Sequence, residues 1–165
     1  MAISNSTKNK LKVLNVYKTY FPDPPGGLQE AIRQICLTTS KESIKNTIFT
    51  LSSQPKPNYI KMPEADLFRR QSWVSLASCS IGGLSAFSNF SQLAKKADVL
   101  HYYFPWPFAD VLHNVVTPDR PAVLTYISDI VRQRFLGATY TPLMWRTLRQ
   151  MKIIVANCPA YAQTS

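Results

Sequence analysis

Three short segments of this sequence hold residues whose types and spacing could do chemistry. The first is a glycine pair, Gly26-Gly27, at the end of the turn-rich run Phe21-Pro22-Asp23-Pro24-Pro25. Lacking a Cβ, such residues let backbone N–H groups approach a phosphate or a sugar at a helix N-terminus. A plain tight turn is the alternative. The second is His101-Tyr102-Tyr103-Phe104-Pro105-Trp106-Pro107-Phe108-Ala109-Asp110, an aromatic run with two prolines fixing its backbone. Its rings, Tyr103 and Trp106 among them, can stack on sugar rings or pack a loop against the core. The third is Thr125-Tyr126-Ile127-Ser128-Asp129-Ile130-Val131-Arg132. Ser128 or Asp129 can cap a helix, or the two can line one cleft with Gly26 and His101.

Several chemistries are excluded. The glycine pair is not a GxGxxG dinucleotide fingerprint, and no GxxxxGK[ST] loop is present. Cys36, Cys79 and Cys158 form no metal-binding spacing, and His101 and His113 are too few and too far apart for a zinc site. No metal and no cofactor is expected. Scattered cysteines suit a reducing compartment, and Cys36 and Cys79 read as small core residues. The net charge of +10 draws the chain toward something anionic: nucleic acid, a membrane surface or a phosphorylated small molecule. The basic residues are dispersed and no nucleic-acid motif accompanies them, so no nucleic acid is expected.

The elements that must position these segments follow from periodicity. Lys12–Tyr17, Thr47–Leu51, Asp98–Tyr102, Ala122–Tyr126 and Lys152–Ala156 are short, apolar and rich in β-branched residues, as buried parallel strands are. Leu67–Val74 is a weaker strand. Helical spacing marks Leu28–Thr39, Ile81–Lys96, Phe108–Val116 and Pro142–Met151. Glu30 in the first turn and Lys95 and Lys96 in a last turn suit the helix dipole. Alternating strands and helices predict an α/β fold, a Rossmann-like parallel sheet with helices on both faces. With 45% hydrophobic residues, 11–165 can bury the core of one domain, behind a flexible polar N-terminus, 1–10. In such sheets ligands bind at the carboxyl ends of the strands, which predicts that Gly26, His101 and Ser128 converge there.

Four motifs, in order, resemble the GT4 family of retaining glycosyltransferases. They are Tyr17–Asp23 with Gly26–Glu30, His101–Asp110, Thr125–Gln133, and Tyr140–Met144 with Ile154–Pro159. The resemblance runs from about Leu11 to Ser165 and is closest to the bacterial members that build O-antigen and other surface polysaccharides, many of them mannosyltransferases. It implies the N-terminal, acceptor-side half of a GT-B fold, with a second domain holding most of the nucleotide-sugar and no required metal. It implies Gly26 and Gly27 at the donor phosphates, and His101, Tyr103, Trp106, Ser128, Asp129 and Arg132 on the acceptor side of the cleft. The family usually places a histidine near the reacting sugar where this sequence has Ile127, which can form no hydrogen bond there. No intact catalytic residue is therefore expected.

The partners implied are a GDP- or UDP-sugar and a lipid-linked glycan acceptor. With the second domain lacking and Pro159–Ser165 reading as the start of an uncompleted helix, the chain is expected to be incomplete at its C-terminal end and inactive alone. The alternative is a non-catalytic module that binds a glycan or glycolipid, or pairs with a separately encoded C-terminal domain. No secretory h-region follows the basic start and no apolar run reaches membrane-spanning length. A cytoplasmic location is expected, with peripheral contact at the inner face of an anionic membrane through Arg132, Arg134, Arg146, Arg149 and Lys152.

Overall fold

The computed structural model describes residues 10–24, 26–76, 79–127 and 137–156. The strands are β1 (Leu11–Val16), β2 (Ile44–Ser52), β3 (Tyr59–Lys61), β4 (Asp66–Leu76), β5 (Cys79–Gly82), β6 (Val99–Phe104), β7 (Ala122–Tyr126) and β8 (Ile153–Ala156). The helices are α1 (Gly27–Lys41), α2 (Leu84–Lys96), α3 (Pro107–Val116) and α4 (Gly137–Gln150). The main sheet runs β3-β4-β2-β1-β6-β7-β8, with β5 paired to β4 off this path. Pairings among β4, β2, β1, β6, β7 and β8 are parallel, so their carboxyl ends share one edge.

The sheet is less purely parallel than the sequence predicts. β3 and β5 each pair antiparallel with β4. β3 lies among prolines, where an edge strand tolerates a missing donor. The helix predicted from Ile81 starts at Leu84, because Ile81 and Gly82 continue β5. α4 begins at Gly137 and carries Pro142 inside it.

Period-two alternation divides the core between the two faces of the sheet. Leu14, Val16, Phe49, Leu51, Leu100, Tyr102 and Leu124 point to one face and form a cluster with residues of α2 and α3. On α2 the buried residues are Ala86, Asn89, Phe90, Leu93 and Ala94, one helical stripe. Complete burial of a side chain such as Phe90 is worth about 1.5–3 kcal/mol. Ile48, Leu67, Tyr103 and Tyr17 face the other way and meet Ile32 and Cys36 of α1. Burial pushes the Cys36 thiol up to about 12, so it behaves as an inert core residue. The side chain of Cys79, and Cys158 altogether, lie outside the described residues.

Candidate functional site

At the end of β1 the chain turns through Asp23 and arrives at Gly26, the N-cap of α1, with extended backbone (φ −152°, ψ 166°) and no side-chain cap. The first N–H groups of a helix have no partner within it; here the intrahelical ladder begins with Glu30 N–H donating to the carbonyl of Gly26. A Cβ added at Gly27 would meet nothing within 4 Å, so the approach to these donors is open. A Cβ at Gly26 would lie 2.7 Å from Gln29 Oε1, and Gln29 is itself held by donating to Thr19 Oγ1 at 2.7 Å. Gly26 is thus fitted to the protein, whereas Gly27 faces free space.

The loop is tied down by an arginine that composition did not single out. Arg69 of β4 is 3% exposed. Its Nη2 donates to Asp23 Oδ1 at 2.9 Å, to Ser52 Oγ at 2.8 Å and to the carbonyl of Gln54 at 2.9 Å. Ser52 Oγ in turn donates to the same Asp23 oxygen at 2.9 Å. A buried arginine needs such a carboxylate partner. Its sequence signal is a basic residue on the inward phase of a strand whose other inward residue, Leu67, is fully buried.

His101 lies within β6, three residues before its end, paired in register with Asn15 of β1. Its Nε2 is 2.7 Å from Thr125 Oγ1, and its ring lies 4.3 Å from that of Tyr103. Burial pushes its pKa down to about 4, so it is neutral at pH 7. Tyr103 is buried and its hydroxyl donates to Asn15 Oδ1 at 3.0 Å. Asn15 Nδ2 donates to Asn46 Oδ1 at 3.3 Å, and Asn46 Nδ2 reaches the carbonyl of Cys36 and the hydroxyl of Thr39 on α1. This polar line crosses three strands and fixes α1, and with it Gly26, relative to His101. Its sequence signal is an asparagine inside an apolar strand.

The aromatic run packs inward. Tyr102, Tyr103, Phe104, Trp106 and Phe108 are all buried, and Trp106 Nε1 donates to the carbonyl of Ser80 at 3.0 Å. Its last residue, Asp110, is 3% exposed and accepts a hydrogen bond from Tyr140 of α4. Burial pushes the Asp110 carboxyl up to about 7. Tyr102 Oη lies 2.9 Å from His113 Nδ1, and His113 Nε2 lies 3.1 Å from Gln150 Oε1 of α4. Asn114 donates to Thr147 Oγ1 at 2.7 Å. α4 is therefore docked on α3 through a polar seam.

Ile127 packs against the cluster that contains Tyr17 and Tyr103, beside the carboxyl end of β7. Ser128, Asp129 and Arg132 lie outside the described residues. The expected convergence therefore rests on Gly26 and His101, the first at the carboxyl edge and the second inside the sheet behind it. No group of His, Cys, Asp and Glu able to hold a metal occurs among the described residues.

No family model matches the chain. Two curated proteins do. The chain is 41% identical over 155 residues to the D-rhamnosyltransferase WbpZ of Pseudomonas aeruginosa, covering 94% of this chain and 40% of that protein. It is 35% identical over 155 residues to the O-antigen chain mannosyltransferase C of Escherichia coli, covering 94% of this chain and 42% of that protein. The chain is a relative of bacterial O-antigen glycosyltransferases. It spans about two fifths of the length of these relatives. Among solved structures, sucrose-phosphate synthase from Thermosynechococcus elongatus superposes with a TM-score of 0.68 at 13% identity, over 93% of this chain and 44% of that one. This likeness shows the fold: a mostly parallel α/β sheet like that of part of a GT-B glycosyltransferase.

Proposed function

We propose that this chain is the acceptor-side domain of a glycosyltransferase that moves a sugar, mannose or rhamnose, from a GDP- or UDP-sugar to a lipid-linked glycan of a surface polysaccharide. The observation that carries the reading is the kinship with a D-rhamnosyltransferase and an O-antigen chain mannosyltransferase over 94% of the chain. The geometry agrees with it. The uncapped start of α1 offers backbone N–H groups and the positive end of a helix dipole to a diphosphate. The open space before Gly27 leaves room for it. Arg69 and Asp23 act as positioning residues that hold the glycine loop, and neutral His101 adds no charge behind it. Tyr103 and Trp106 shape the wall from within. Ser128, Asp129 and Arg132 would extend that wall toward the acceptor.

Transfer requires donor and acceptor held in one geometry, which can be worth roughly 7–11 kcal/mol of the barrier. This domain supplies one wall, and Ile127 offers no hydrogen bond to a reacting sugar. A pairing with a separately produced donor domain is favoured by the exposed apolar residues of β8, Ile153, Ile154 and Val155. The test is a radiolabelled-sugar transfer assay with GDP- and UDP-sugars and a lipid-linked acceptor. The isolated chain is expected to give no turnover. Fusion to the remaining part of WbpZ is expected to give turnover, raised further by Ile127→His, whereas Ile127→His in the isolated chain has no effect. Turnover by the homogeneous 165-residue chain would overturn the one-wall reading.

A further inference from the structure

We propose that Trp73, on the hairpin of β4 and β5, is a stacking platform for uncharged sugar rings of the acceptor glycan. The inference rests on the transferase reading and names a subsite within it. Past Gln71, the partner of the last residue of β2, β4 leaves the sheet and pairs with β5 instead. The hairpin thus projects from the carboxyl edge, the edge at which β1 leads to Gly26. Trp106 Nε1, bonded to the carbonyl of Ser80, anchors it to the loop between β6 and α3.

Trp73 stands in the register shift between Ser72 and Val74, and such irregularities re-aim a side chain. Its indole lies on the backbone of Gly83, where an added Cβ would sit 2.2 Å from Cζ2 and 2.6 Å from Cε2. Any residue but glycine at position 83 would lift the ring away. The indole is nevertheless 69% exposed, so it is held from behind and open in front. Leu84, which follows Gly83, and Ile81, which pairs with Val74, are also exposed.

A buried contact with protein or a membrane would be the other uses of an exposed tryptophan. Charge decides against an anionic membrane. Residues 71–94 contain no Asp, Glu, Lys, Arg or His, in a chain of net charge +10. Of the polar side chains in this stretch, Gln71, Ser85, Ser88 and Gln92 are exposed, whereas Ser80 and Asn89 are buried. Such a surface has nothing to draw in phosphate headgroups. It has hydroxyls and amides to meet sugar hydroxyls and an indole face to meet the C–H side of a pyranose.

The experiment is a nuclear magnetic resonance titration of the full chain with mannotetraose, following the indole N–H signals of Trp73, Trp106 and Trp145. A parallel titration with GDP follows the amides of Gly26 and Gly27. The Trp73 signal is expected to shift with mannotetraose while that of buried Trp106 stays. Trp73→Ala is expected to weaken binding about five- to tenfold, and Trp73→Phe to retain most of it, at unchanged melting temperature. Unchanged mannotetraose binding by Trp73→Ala, or a Trp73 signal that answers only to phosphatidylglycerol vesicles, would overturn the proposal. A silent Trp73 with shifting glycine amides removes the platform and leaves the transferase reading. Silence in both titrations removes both.

Discussion

Arg69 reaches from β4 to the carboxylate of Asp23, and through it holds the loop that delivers Gly26 to the head of α1. Removing one member of a buried ion pair leaves the other uncompensated, at a cost of about 3–5 kcal/mol. Arg69→Met is therefore expected to lower the free energy of unfolding in urea by about 3 kcal/mol. The Arg69→Met, Asp23→Leu double variant should lose less than the single one. A single-variant loss under 1 kcal/mol, comparable with a surface pair, would show that the pair does not hold the loop. Asp110 predicts a pH effect. Its folded pKa of about 7, raised by burial, stands above the ordinary 3.8. As pH rises through that window the unfolded chain gives up a proton that the folded one keeps, so stability falls, by up to about 4 kcal/mol. His101 works the other way, because its folded pKa of about 4 stands below the ordinary 6.5 and stability falls as pH drops between them. The two slopes oppose each other between about pH 4 and 6.5, so the wild-type profile hides both. Asp110→Asn is expected to be the more stable protein at pH 8, with its advantage vanishing near pH 3. An advantage that does not change with pH would mean that the carboxyl is not the titrating group.

At the scale of elements, α1 and α2 were legible because their buried residues recur at helical spacing, and β1, β2, β6 and β7 because they are buried on both faces and so read as apolar runs. β3 and β5 were not, since three or four residues in antiparallel edge positions carry no such run. Of the candidate site, Gly26 and its place before a helix could be read directly. The clamps could not, because Arg69, Asn15 and Asn46 are recognised only by the partners the fold brings to them. The polar seam between α3 and α4 was likewise invisible, although both its ends, Asp110 and Tyr140, fell inside motifs. α4 presents Arg146 and Arg149 to solvent beside Trp145, which is 51% exposed. Each basic residue near an anionic leaflet is worth about 1 kcal/mol. Binding of the chain to phosphatidylglycerol vesicles is expected to be salt-sensitive and to weaken roughly tenfold or more in the Arg146→Ala, Arg149→Ala double variant. Equal sedimentation with phosphatidylcholine vesicles would count against it. No helix among the described residues is long and apolar enough to cross a membrane.

At the scale of the molecule, one stretch stands apart from the dispersed basic residues: residues 71–94, in the hairpin and α2 up to Ala94, carry no charged side chain. β8 is the edge of the sheet among the described residues, and Ile153, Ile154 and Val155 are 57%, 48% and 46% exposed. An apolar strand at an open edge is a template for pairing with another chain. Concentration-dependent self-association is expected in sedimentation experiments, and Ile154→Lys should suppress it without lowering the melting temperature by more than a few degrees. Association that persists in this variant would place the contact elsewhere.

The central position of β1 bears on how the protein is made. β1 is made before the strands on both its sides, for it lies between β2 and β6, and the bond from Lys12 N–H to the Asp98 carboxylate joins residues 86 apart. At about 5–20 residues per second, the second flank of β1 remains open for roughly 4–17 s of synthesis. During that interval the nascent chain holds its central strand half-paired, which makes it a client for whatever guards emerging polypeptides until β6 arrives.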